Sequence, residues 1–573
     1  MTNAEIAAAL DELGVLYELD GAVKYRVLAY GNAATAIRES PVSVAELAAQ
    51  GRATEIPGVG KTLAEKIDAL LATGEIPAAV KLKAKFPPTL IAVTRVPGLG
   101  TKTARRLFEE LGVASLEDLK AAAEGQKIRE LKGLGAKVEE RVLASLETLG
   151  DEEDLAAGRL LLSKVRPIAE ELAAALREHP AANRVEVAGS VRRWAETCKD
   201  VDLIATAEDP VALSEHFAAH PLIAAAGTPG ANGVRAQTHN GVSVDLRIVP
   251  PAAFGNLLQH FTGSKAHNVQ LREEAVARGL SVSEHGITES ESGEVELCES
   301  EEAVYRRLGY DYIEPELREG RGELKAAREG KLPDLIELAD VRGDLHSHTT
   351  LSDGRNSLEE MAEAGRARGY AYMAITDHSA SHGFGDHVTD ERLWERIEEI
   401  RAWNKGKRGF RLLAGSEVNI GLDGALDYPD DLIEALDWVV ASVHTSFAIS
   451  AAEMTERVLA AIENPGVDCI GHLTGRLIGR REPYGIDVEA IAEAAARAGT
   501  MIEINGNPNR RDLSDRHARL AVDAGVKIVL NTDAHGIGTL DNMAYAVATA
   551  RRAWLTKADV ANTRSWAEFK KLL

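Results

Sequence analysis

The chain has 573 residues, of which 45% are hydrophobic and 27% are charged, and its formal net charge is -23. This length predicts several domains, and no run of about 18 apolar residues indicates a membrane span. The acidic N-terminal stretch MTNAEIAAALDELG does not fit a secretory signal. The three cysteines lie far apart, which excludes a disulfide framework and a thiolate zinc site. We therefore expect a soluble, cytoplasmic protein of several globular domains with no membrane partner.

Three related phrases punctuate the first 150 residues: IPGVGKTLAEKI (56–67), VPGLGTKTARRLFEEL (96–111) and LKGLGAKVEERVL (131–143). In each, a G-x-G turn begins a helix and leaves its first backbone N–H groups uncovered, which favours contact with a phosphate oxygen. A glycine turn between packed helices is the alternative, but three copies with neighbouring lysines favour DNA. The pattern resembles the helix-hairpin-helix motif, which binds the DNA backbone without reading sequence. The predicted DNA-binding residues are Gly58, Gly60, Lys61, Gly98, Gly100, Lys102, Gly133 and Gly135.

The first phrase carries a wider resemblance. With VKYRVLAYGNAATAI upstream and KIDALLATGEIP downstream, it is similar to the small N-terminal domain of the family X DNA polymerases. In that resemblance Lys66 corresponds to the lysine that forms a Schiff base with a 5′-deoxyribose phosphate. Arg26 stands where animal members carry a supporting lysine, so a helix lysine that only touches phosphate is the favoured alternative. Lyase activity is therefore left open.

The middle of the chain carries a second pattern. Residues 184–206, RVEVAGSVRRWAETCKDVDLIAT, read as a strand, a Gly-Ser turn, a short helix and a strand. Asp200 and Asp202 are two apart, so both carboxylates leave the second strand on the same side. Further on, an Asn-Gly pair indicates a hairpin whose second strand has Asp245 on its polar face. A D-x-D pair alone is common on exposed strands, but three carboxylates beside a Gly-Ser turn suit two-metal phosphoryl transfer.

The arrangement G-S-x-R-R…D-x-D…D-x-R resembles the palm of the family X polymerases, and LLQHFTGSKAHNVQLR (257–272) resembles the start of their thumb. The resemblance implies two Mg²⁺ or Mn²⁺ ions on the three acids. It also implies nucleotide-binding roles for Arg159, Gly189, Ser190, Arg193, Phe261, Gly263, Asn268 and Arg272. His260 and Lys265 match the bacterial branch. Lys199, however, replaces a glycine before the catalytic pair and leaves the efficiency of nucleotide binding open.

The periodicity changes after a charged, turn-rich connector. Seven short apolar runs, VRGDLHSH, YMAITDH, LLAGSEVNI, WVVASVH, CIGHL, MIEING and KIVLNTDAH, alternate with helical stretches such as SLEEMAEAGRARG. This alternation predicts parallel strands with crossover helices, hence a barrel related to the TIM architecture. Histidines and acids lie at the ends of nearly all the strands, on the rim where such barrels form active sites. The candidate ligands are His346, His348, Asp353, His378, Glu417, His444, His472, Asp533 and His535.

These imidazoles and carboxylates suit Mn²⁺, Zn²⁺ or iron, and nine of them suffice for three ions if Glu417 bridges. A hydrogen-bonding role would be the better interpretation of any single histidine, but nine candidates on one rim favour a metal cluster and phosphoester hydrolysis. The pattern HxH…D…TDH…E…H…H…DxH resembles the PHP (polymerase and histidinol phosphatase) domain over 343–573. The resemblance implies Mn²⁺ and/or Zn²⁺ in three sets: His346, His348, Glu417 and Asp533; Glu417, His444 and His472; and Asp353, His378 and His535.

We therefore expect a multidomain fold with a helical helix-hairpin-helix N-terminal region, an α+β nucleotidyltransferase palm with a small thumb, and a distorted (βα)7 TIM-like PHP barrel. The expected segments are a lyase-like helix-hairpin-helix domain (1–85), a fingers-type helix-hairpin-helix domain (86–152), the palm (153–256), the thumb (257–318), a linker (319–342) and the PHP domain (343–573).

The sequence is identified as a member of the bacterial family X DNA polymerases fused to a PHP domain. This membership implies filling of short gaps in DNA repair and 3′–5′ exonuclease or 3′-end processing by the barrel. The expected partners of this nucleoid-associated monomer are gapped or primer-template DNA and deoxynucleoside triphosphates. Two alternatives stay open: a DNA-binding repair nuclease with an inactive palm, and a small-molecule phosphatase, against which the helix-hairpin-helix phrases count.

Overall fold

The computed structural model describes residues 1–94, 96, 99–131, 133–148, 159–382 and 388–573. The predicted DNA-binding Gly98 lies outside these residues. The chain divides into two compact units. The first comprises Met1–Leu160, Lys164–Val187 and Lys199–Pro250, and the second comprises Leu161–Ser163, Ala188–Cys198 and Pro251–Leu573. In the described part of the chain, no helix is long and apolar enough to cross a membrane.

The N-terminal part of the first unit is helical, as its composition predicts. Its helices span Asn3–Leu19, Lys24–Glu39, Val44–Ala49, Lys61–Thr73, Pro77–Lys83, Leu90–Thr94, Thr101–Leu111, Leu116–Glu124 and Ala136–Thr148. Their apolar faces meet in one buried core that includes Leu10, Ile37, Ile67 and Leu107. Helical segments this short are marginal in isolation, so this shared core holds them together.

Each of the three glycine phrases begins a helix. The helices start at Lys61, Thr101 and Ala136, directly after the G-x-G turns. Gly58 and Gly133 have φ values of 80° and 87°, a left-handed conformation that residues with a side chain rarely adopt. The glycines therefore set the direction in which the chain enters the helix.

A five-stranded sheet forms the other part of the first unit, with helix Pro210–Ala218 and most of helix Leu162–Glu178. Its strands are β1 (Ala182–Val187), β2 (Asp200–Ala207), β3 (Ile223–Ala226), β4 (Gly233–Thr238) and β5 (Ser243–Ile248), in the spatial order β1-β2-β5-β4-β3. The predicted hairpin is formed by β4 and β5, which pair antiparallel. Strands β2 and β5 pair parallel, with Asp202 opposite Asp245.

The thumb segment of the second unit combines helices with a small antiparallel sheet. Its helices are Phe254–Thr262, Lys265–Val276 and Glu301–Arg307, followed by Glu323–Arg328, and its strands are β6 (Leu280–Ser283), β7 (Gly286–Glu289) and β8 (Val295–Glu296). A buried ion-pair network lies between these elements. Fully buried Arg318 pairs with Glu301, whose other oxygen accepts a hydrogen bond of 2.7 Å from Arg192. This network attaches the short helix Gly189–Arg192 to the thumb.

A seven-stranded parallel barrel forms the C-terminal part of the second unit. Its strands, in sequential order, are β9 (Gly343–Asp344), β10 (Tyr372–Ile375), β11 (Arg411–Asn419), β12 (Trp438–Ser442), β13 (Cys469–Ile470), β14 (Met501–Asn505) and β15 (Ile528–Asn531). Its helices are Leu358–Ala367, Asp390–Asn404, Asp430–Ala435, Ala451–Ile462, Val488–Ala498, Asp515–Asp523, Met543–Arg552 and Trp566–Phe569. A parallel bridge between Ser347 and Ala534 joins the two ends, so the barrel is nearly closed. The predicted (βα)7 architecture is confirmed.

Apolar and polar side chains occupy opposite ends of the barrel strands. A cluster that includes Tyr372, Trp438, Cys469 and Met501 comes from the first residues of their strands. The predicted ligands lie beyond the last residues of the strands, except Glu417, which lies within β11. The apolar cluster therefore fills the amino ends of the strands, and the polar rim lies at their carboxyl ends.

Candidate metal centre and nucleotidyl-transfer residues

Glu417 stands at the centre of the rim of the barrel. Its side chain is 1% exposed. Its Oε2 atom lies 3.2 Å from Nε2 of His346, 3.6 Å from Nε2 of His348 and 3.0 Å from Nδ1 of His378. These imidazoles come from the chain that follows β9 and β10, and β11 presents the carboxylate between them.

The second oxygen of Glu417 has its own partners. Oε1 lies 3.2 Å from Nε2 of His444 and 2.9 Å from Nε2 of His472. These histidines follow β12 and β13. One carboxylate thus has a different group of imidazole nitrogens around each oxygen. This is the arrangement expected of a ligand that bridges two ions.

Two further carboxylates flank this centre. Asp353 has Oδ2 3.2 Å from Nε2 of His535 and Oδ1 3.7 Å from Nε2 of His378. Asp533 has Oδ1 3.2 Å from Nε2 of His348. The structure therefore brings all nine predicted ligands to one rim.

Three groups of side chains in the described residues place ligand atoms within 4.8 Å of one another. They are His348, Asp353, His378 and His535; His346, His348 and Asp533; and His378, Glu417 and His444. His348 and His378 each belong to two groups, so neighbouring ions would share this rim. These groups differ from the sets implied by the resemblance, in which each of these two histidines serves one ion. The assignment of ligands to ions stays a prediction.

The donor atoms fit divalent cations. Nε2 of His346, both ring nitrogens of His348 and both carboxylate oxygens of Glu417 are buried and make no hydrogen bond within the part of the chain that the structure describes. Buried polar atoms are normally satisfied, and an ion is one way to satisfy a convergent set of nitrogen and oxygen atoms. The nitrogen and oxygen ligands suit Mn²⁺, Zn²⁺ or iron.

Burial and charge set the protonation of these imidazoles in the metal-free chain. Burial, together with the neighbouring His535 and His378, lowers the pKa of His348 to about 4. Burial likewise lowers the pKa of His444 to about 4, against the opposing carboxylate of Glu417. Both rings are therefore neutral at pH 7, the form in which imidazole binds a metal.

The sequence did not indicate Glu503, which is fully buried in β14. Its Oε1 lies 2.6 Å from Nδ1 of His346, and its Oε2 accepts the backbone N–H of His472 at 2.8 Å. Its oxygens also accept the side-chain amides of Asn531 (3.0 Å) and Asn505 (3.2 Å). Glu503 thus orients His346 through its Nδ1 atom and His472 through its backbone N–H, while the Nε2 atoms of both rings face Glu417.

Asp377, also not predicted, shapes the loop that carries Asp353. Its Oδ1 accepts the backbone N–H of Thr349 at 2.7 Å and the hydroxyl of Ser352 at 2.8 Å. Its Oδ2 accepts the hydroxyl of Thr349 at 2.7 Å. The short strand β9 ends at Asp344, so these bonds replace strand pairing in fixing the loop.

The three palm acids lie in the first unit. Asp200 and Asp202 share one side of β2, and the β2–β5 register places Asp202 opposite Asp245. Oδ2 of Asp245 accepts hydrogen bonds from Arg235 at 3.2 Å and from Arg247 at 2.9 Å. The sheet thus brings together the carboxylates that the sequence assigns to two ions.

The predicted phosphate-binding turn lies in the second unit. Gly189 has a φ of 65°, and the turn leads into helix Gly189–Arg192. The guanidinium of Arg193 donates to Glu319 at 3.1 Å and to the carbonyl of Thr262. Its side chain is 13% exposed. Arg193 is therefore held by protein contacts in this state of the chain.

The thumb residues predicted to contact nucleotide form a local network. The side-chain amide of Asn268 donates to the carbonyl of His260 at 2.8 Å and accepts from Gln259 at 2.9 Å. Arg272 lies 3.0 Å from Nδ1 of His260, and the ring of Phe261 is 5.5 Å from the same imidazole. His260 thus connects three of the predicted residues.

The remaining predicted residues differ in their exposure. Gly263 is buried, with a φ of 63°, and ends helix Phe254–Thr262. Arg159 is exposed, and Lys66 is half-buried on helix Lys61–Thr73. The roles of these residues stay predictions.

The predicted DNA-binding turns are accessible. Gly60 and Gly100 are helix N-caps that offer no side-chain hydrogen bond to the first N–H groups. Lys61, Lys102 and Gly135 are exposed. The helix N-termini therefore present N–H groups and positive charge at the surface, as a phosphate requires.

Profiles of four known families match the chain. They are a helix-hairpin-helix domain (1–76), a SAM-like helix-hairpin-helix tandem (90–148), a DNA polymerase beta thumb (257–319) and a PHP domain (344–507). A DNA polymerase/3′-5′ exonuclease PolX from Bacillus subtilis (strain 168) is 37% identical over 575 residues, which is 100% of this chain and 99% of the relative. The chain belongs to the PHP-bearing family X DNA polymerases. This confirms the family inferred from the motifs.

Other relatives of this family X polymerase match about a third of the chain. A probable phosphatase from Thermoanaerobacter sp. (strain X514) is 31% identical over 232 residues, 38% of the chain and 89% of the relative. The probable phosphatase YcdX from Escherichia coli (strain K12 / DH10B) is 30% identical over 212 residues, 34% of the chain and 80% of the relative. The family X polymerase thus shares part of its sequence with proteins named as phosphatases.

Proposed function

We propose that the chain is a DNA-directed DNA polymerase that also carries a 3′–5′ exonuclease. The observation that carries this proposal is that two separate sets of metal-type ligands lie in different compact units, one on β2 and β5 and the other on the barrel rim. The full-length relative named for both activities supports it. The substrates are gapped or primer-template DNA and deoxynucleoside triphosphates, and the reaction fills short gaps in DNA repair.

The synthetic half uses the palm acids. Asp200, Asp202 and Asp245 hold two Mg²⁺ or Mn²⁺ ions, while Ser190 and Arg193 bind the triphosphate. When bound, the ions would supply Lewis acidity for attack of the primer 3′-oxygen on the α-phosphorus, with loss of the hydroxyl proton, cleavage of the bond to the β-phosphate and release of pyrophosphate. The exposed helix-hairpin-helix turns hold the DNA backbone independently of sequence.

The hydrolytic half uses the barrel. The nine rim ligands hold up to three Mn²⁺ and/or Zn²⁺ ions, which supply Lewis acidity for phosphoester cleavage when bound. Glu417 would offer each of its two oxygens to an ion, and Glu503 orients His346 and His472. The product is a 3′-shortened strand and a nucleoside monophosphate.

Primer extension tests the synthetic half. The full chain is incubated with a duplex that carries a one-nucleotide gap, with Mg²⁺ or Mn²⁺, and the extended primer is resolved on a gel. We expect templated addition with either ion. Binding of the gapped duplex without any addition would reject this half and leave the repair nuclease with an inactive palm.

A small-molecule phosphatase is the second candidate, because relatives 30–31% identical that match only part of the chain are named as probable phosphatases. Turnover of a sugar phosphate is compared with release of mononucleotides from 5′-labelled single-stranded DNA. We expect the DNA to be the better substrate, since the same chain carries three DNA-binding turns. Faster turnover of the sugar phosphate would favour the phosphatase.

Three finer points complete the proposal. The boundaries of the domains are the ones predicted from the sequence. The protein acts as a nucleoid-associated monomer. Lys66 is the candidate nucleophile for a 5′-deoxyribose-phosphate lyase. Borohydride trapping of an abasic 5′-end on the wild type and on Lys66→Ala tests this role, and equal trapping by both would reject it.

A further inference from the structure

The segment that follows the Gly-Ser turn is held by the barrel. Glu196 and Arg476 form a two-pronged ion pair in which Nη2 donates to Oε1 at 2.6 Å and Nη1 donates to Oε2 at 3.2 Å. The Arg476 side chain is 13% exposed and that of Glu196 is 30% exposed. Such a fork fixes both direction and distance, unlike a single exposed contact.

Two further barrel arginines hold the backbone of the same segment. Arg511 donates to the carbonyl of Trp194 at 2.9 Å. Arg552 donates to the carbonyl of Arg193 at 2.9 Å and to Glu319 at 2.8 Å. Because Glu319 also accepts from Arg193, the same carboxylate connects the segment to the barrel helix that ends at Arg552. Three guanidinium groups therefore hold Arg193, Trp194 and Glu196.

Two of these arginines lie in barrel segments that are held by hydrogen bonds. Arg476 lies in the loop after β13, in which the N–H of Gly475 donates to the carbonyl of His472 at 2.9 Å. Arg511 is fully buried, and its Nε donates to the hydroxyl of Thr549 at 2.9 Å. Burying a guanidinium is costly, and the acceptors above offset only part of this cost, because Nε of Arg476 and Nη2 of Arg511 are buried without a hydrogen-bond partner among the described residues.

The turn is short, although backbone hydrogen bonds close it, such as that from the N–H of Ala195 to the carbonyl of Ser190 at 3.0 Å. Helix Gly189–Arg192 has only four residues, and Trp194, two residues beyond its end, has a φ of 53°, which is unfavourable for a residue with a side chain. An edge-to-face contact of 5.7 Å between the rings of Trp194 and Tyr545 adds a further link to the barrel. The barrel contacts stabilise a conformation that this short segment would not hold alone.

We propose that Arg476, Arg511 and Arg552 are positioning residues for triphosphate binding by the Gly-Ser turn. The barrel fixes residues 193–196, and through them the Ser190 and Arg193 groups that receive the triphosphate. The PHP domain thus serves the synthetic reaction as a structural support as well as carrying the hydrolytic site. This inference rests on the proposed polymerase function.

The Glu196–Arg476 pair allows a charge-exchange test in the full-length chain. Glu196→Arg and Arg476→Glu are made singly and together, and the KM for the incoming deoxynucleotide and kcat are measured on gapped DNA. A misplacement of about 1 Å in a positioning contact can cost about 10²-fold. We expect each single variant to raise the KM by about tenfold, with a smaller change in kcat, and the double variant to recover most of this loss.

Two further sets of variants distinguish loss of the ion pair from a general effect of the substitutions on folding. The ion pair between Glu493 and Arg497, exposed by 61% and 71%, is exchanged in the same way as a matched control on the barrel surface. Arg476→Lys keeps the charge but loses the fork, so we expect a KM between those of the wild type and Arg476→Glu.

The outcomes separate this inference from the proposed function. Single variants with a wild-type KM, or a double variant no better than the singles, would overturn the inference while the wild type still adds nucleotides. A wild type that adds no nucleotide would reject the polymerase function itself. A rise in KM equal to that of the Glu493/Arg497 control would also overturn the inference.

Discussion

Glu503 contacts the nitrogen of His346 that points away from Glu417. Oε1 of Glu503 lies 2.6 Å from Nδ1 of the imidazole, and Nε2 of the same ring lies 3.2 Å from Oε2 of Glu417. The second oxygen of Glu503 accepts the backbone N–H of His472. Burial opposes the charged ring, but Glu503, Glu417 and Asp533 raise the pKa of His346 well above its usual value in the metal-free chain. The carboxylate of Glu503 thus orients both His346 and His472.

Replacing Glu503 should therefore weaken metal binding without touching the palm. Outer partners of metal-bound histidines typically change metal affinity by about 10- to 100-fold. We expect Glu503→Ala to lower Mn²⁺ affinity of the barrel by this amount, as measured by calorimetric titration, and Glu503→Gln to have a smaller effect. Glu493→Gln, an exposed barrel acid, is the control. Unchanged Mn²⁺ affinity in Glu503→Ala would show that this carboxylate does not orient the ligands.

Glu417 is the position at which loss of one side chain should remove more than one ion. Its oxygens face two different groups of imidazoles, so Glu417→Gln should lower the bound metal per chain by more than one equivalent and abolish exonuclease activity. Metal content is measured by elemental analysis after dialysis, and nucleotide addition on gapped DNA serves as the internal control. A loss of one equivalent or less would mean that this carboxylate does not bridge.

The glycine turns lead to a prediction on DNA affinity. Lys61 and Lys102 are exposed at the starts of helices whose N-caps carry no side-chain hydrogen bond. Each phosphate contact contributes about 0.9 to the slope of log affinity against log salt. We expect Lys61→Ala with Lys102→Ala to reduce that slope by about two on any DNA sequence, measured by fluorescence anisotropy. A slope equal to that of Lys120→Ala, an exposed lysine on a neighbouring helix, would contradict the proposed contacts.

The buried pair of Glu301 and Arg318 leads to a prediction on acid stability. Burial raises the pKa of Glu301, but Arg318 and Arg192 outweigh it and lower the pKa from 4.5 to about 2. Because the folded pKa is lowered, the stabilisation is complete above about pH 4.5 and is lost as the pH falls toward 2. The shift corresponds to about 3 kcal/mol of unfolding free energy.

Glu301→Gln should consequently be destabilised at pH 7, and its difference from the wild type should shrink as the pH falls from 4.5 toward 2. Denaturant unfolding at several pH values measures this. Glu302→Gln, at the exposed neighbouring position, should match the wild type throughout. A stability difference independent of pH in Glu301→Gln would argue that packing rather than charge matters at this position.

Much of the barrel was predictable because the sequence pattern is local. Each short apolar run carries a histidine or acid near its carboxyl end, so strand order and rim composition follow from the chain direction alone. Glu503 and Asp377 escaped prediction because their partners are distant in sequence. The acid within MIEING looks like one polar residue in a strand, and only the paired strands β14 and β15 bring Glu503 within a hydrogen bond of the Asn531 side chain.

The contacts of the segment Ala188–Cys198 also could not be predicted from the sequence. Its Gly-Ser turn and following strand predict a continuous palm, but it belongs to the second compact unit, where Glu196 pairs with Arg476 and the carbonyl of Arg193 accepts from Arg552. A local pattern of glycine, serine and arginine contains no information on which distant guanidinium groups hold it. Pairing over about 280 positions is a property of the tertiary structure alone.

We propose that one chain holds two independent active sites for opposite reactions on a DNA 3′-end. The most direct test measures nucleotide addition on gapped DNA and mononucleotide release from single-stranded DNA for Asp202→Asn and His346→Ala. We predict that Asp202→Asn loses addition and keeps release, and that His346→Ala loses release and keeps addition. Loss of both activities in both variants, or retention of addition in Asp202→Asn, would contradict the proposal of two independent active sites.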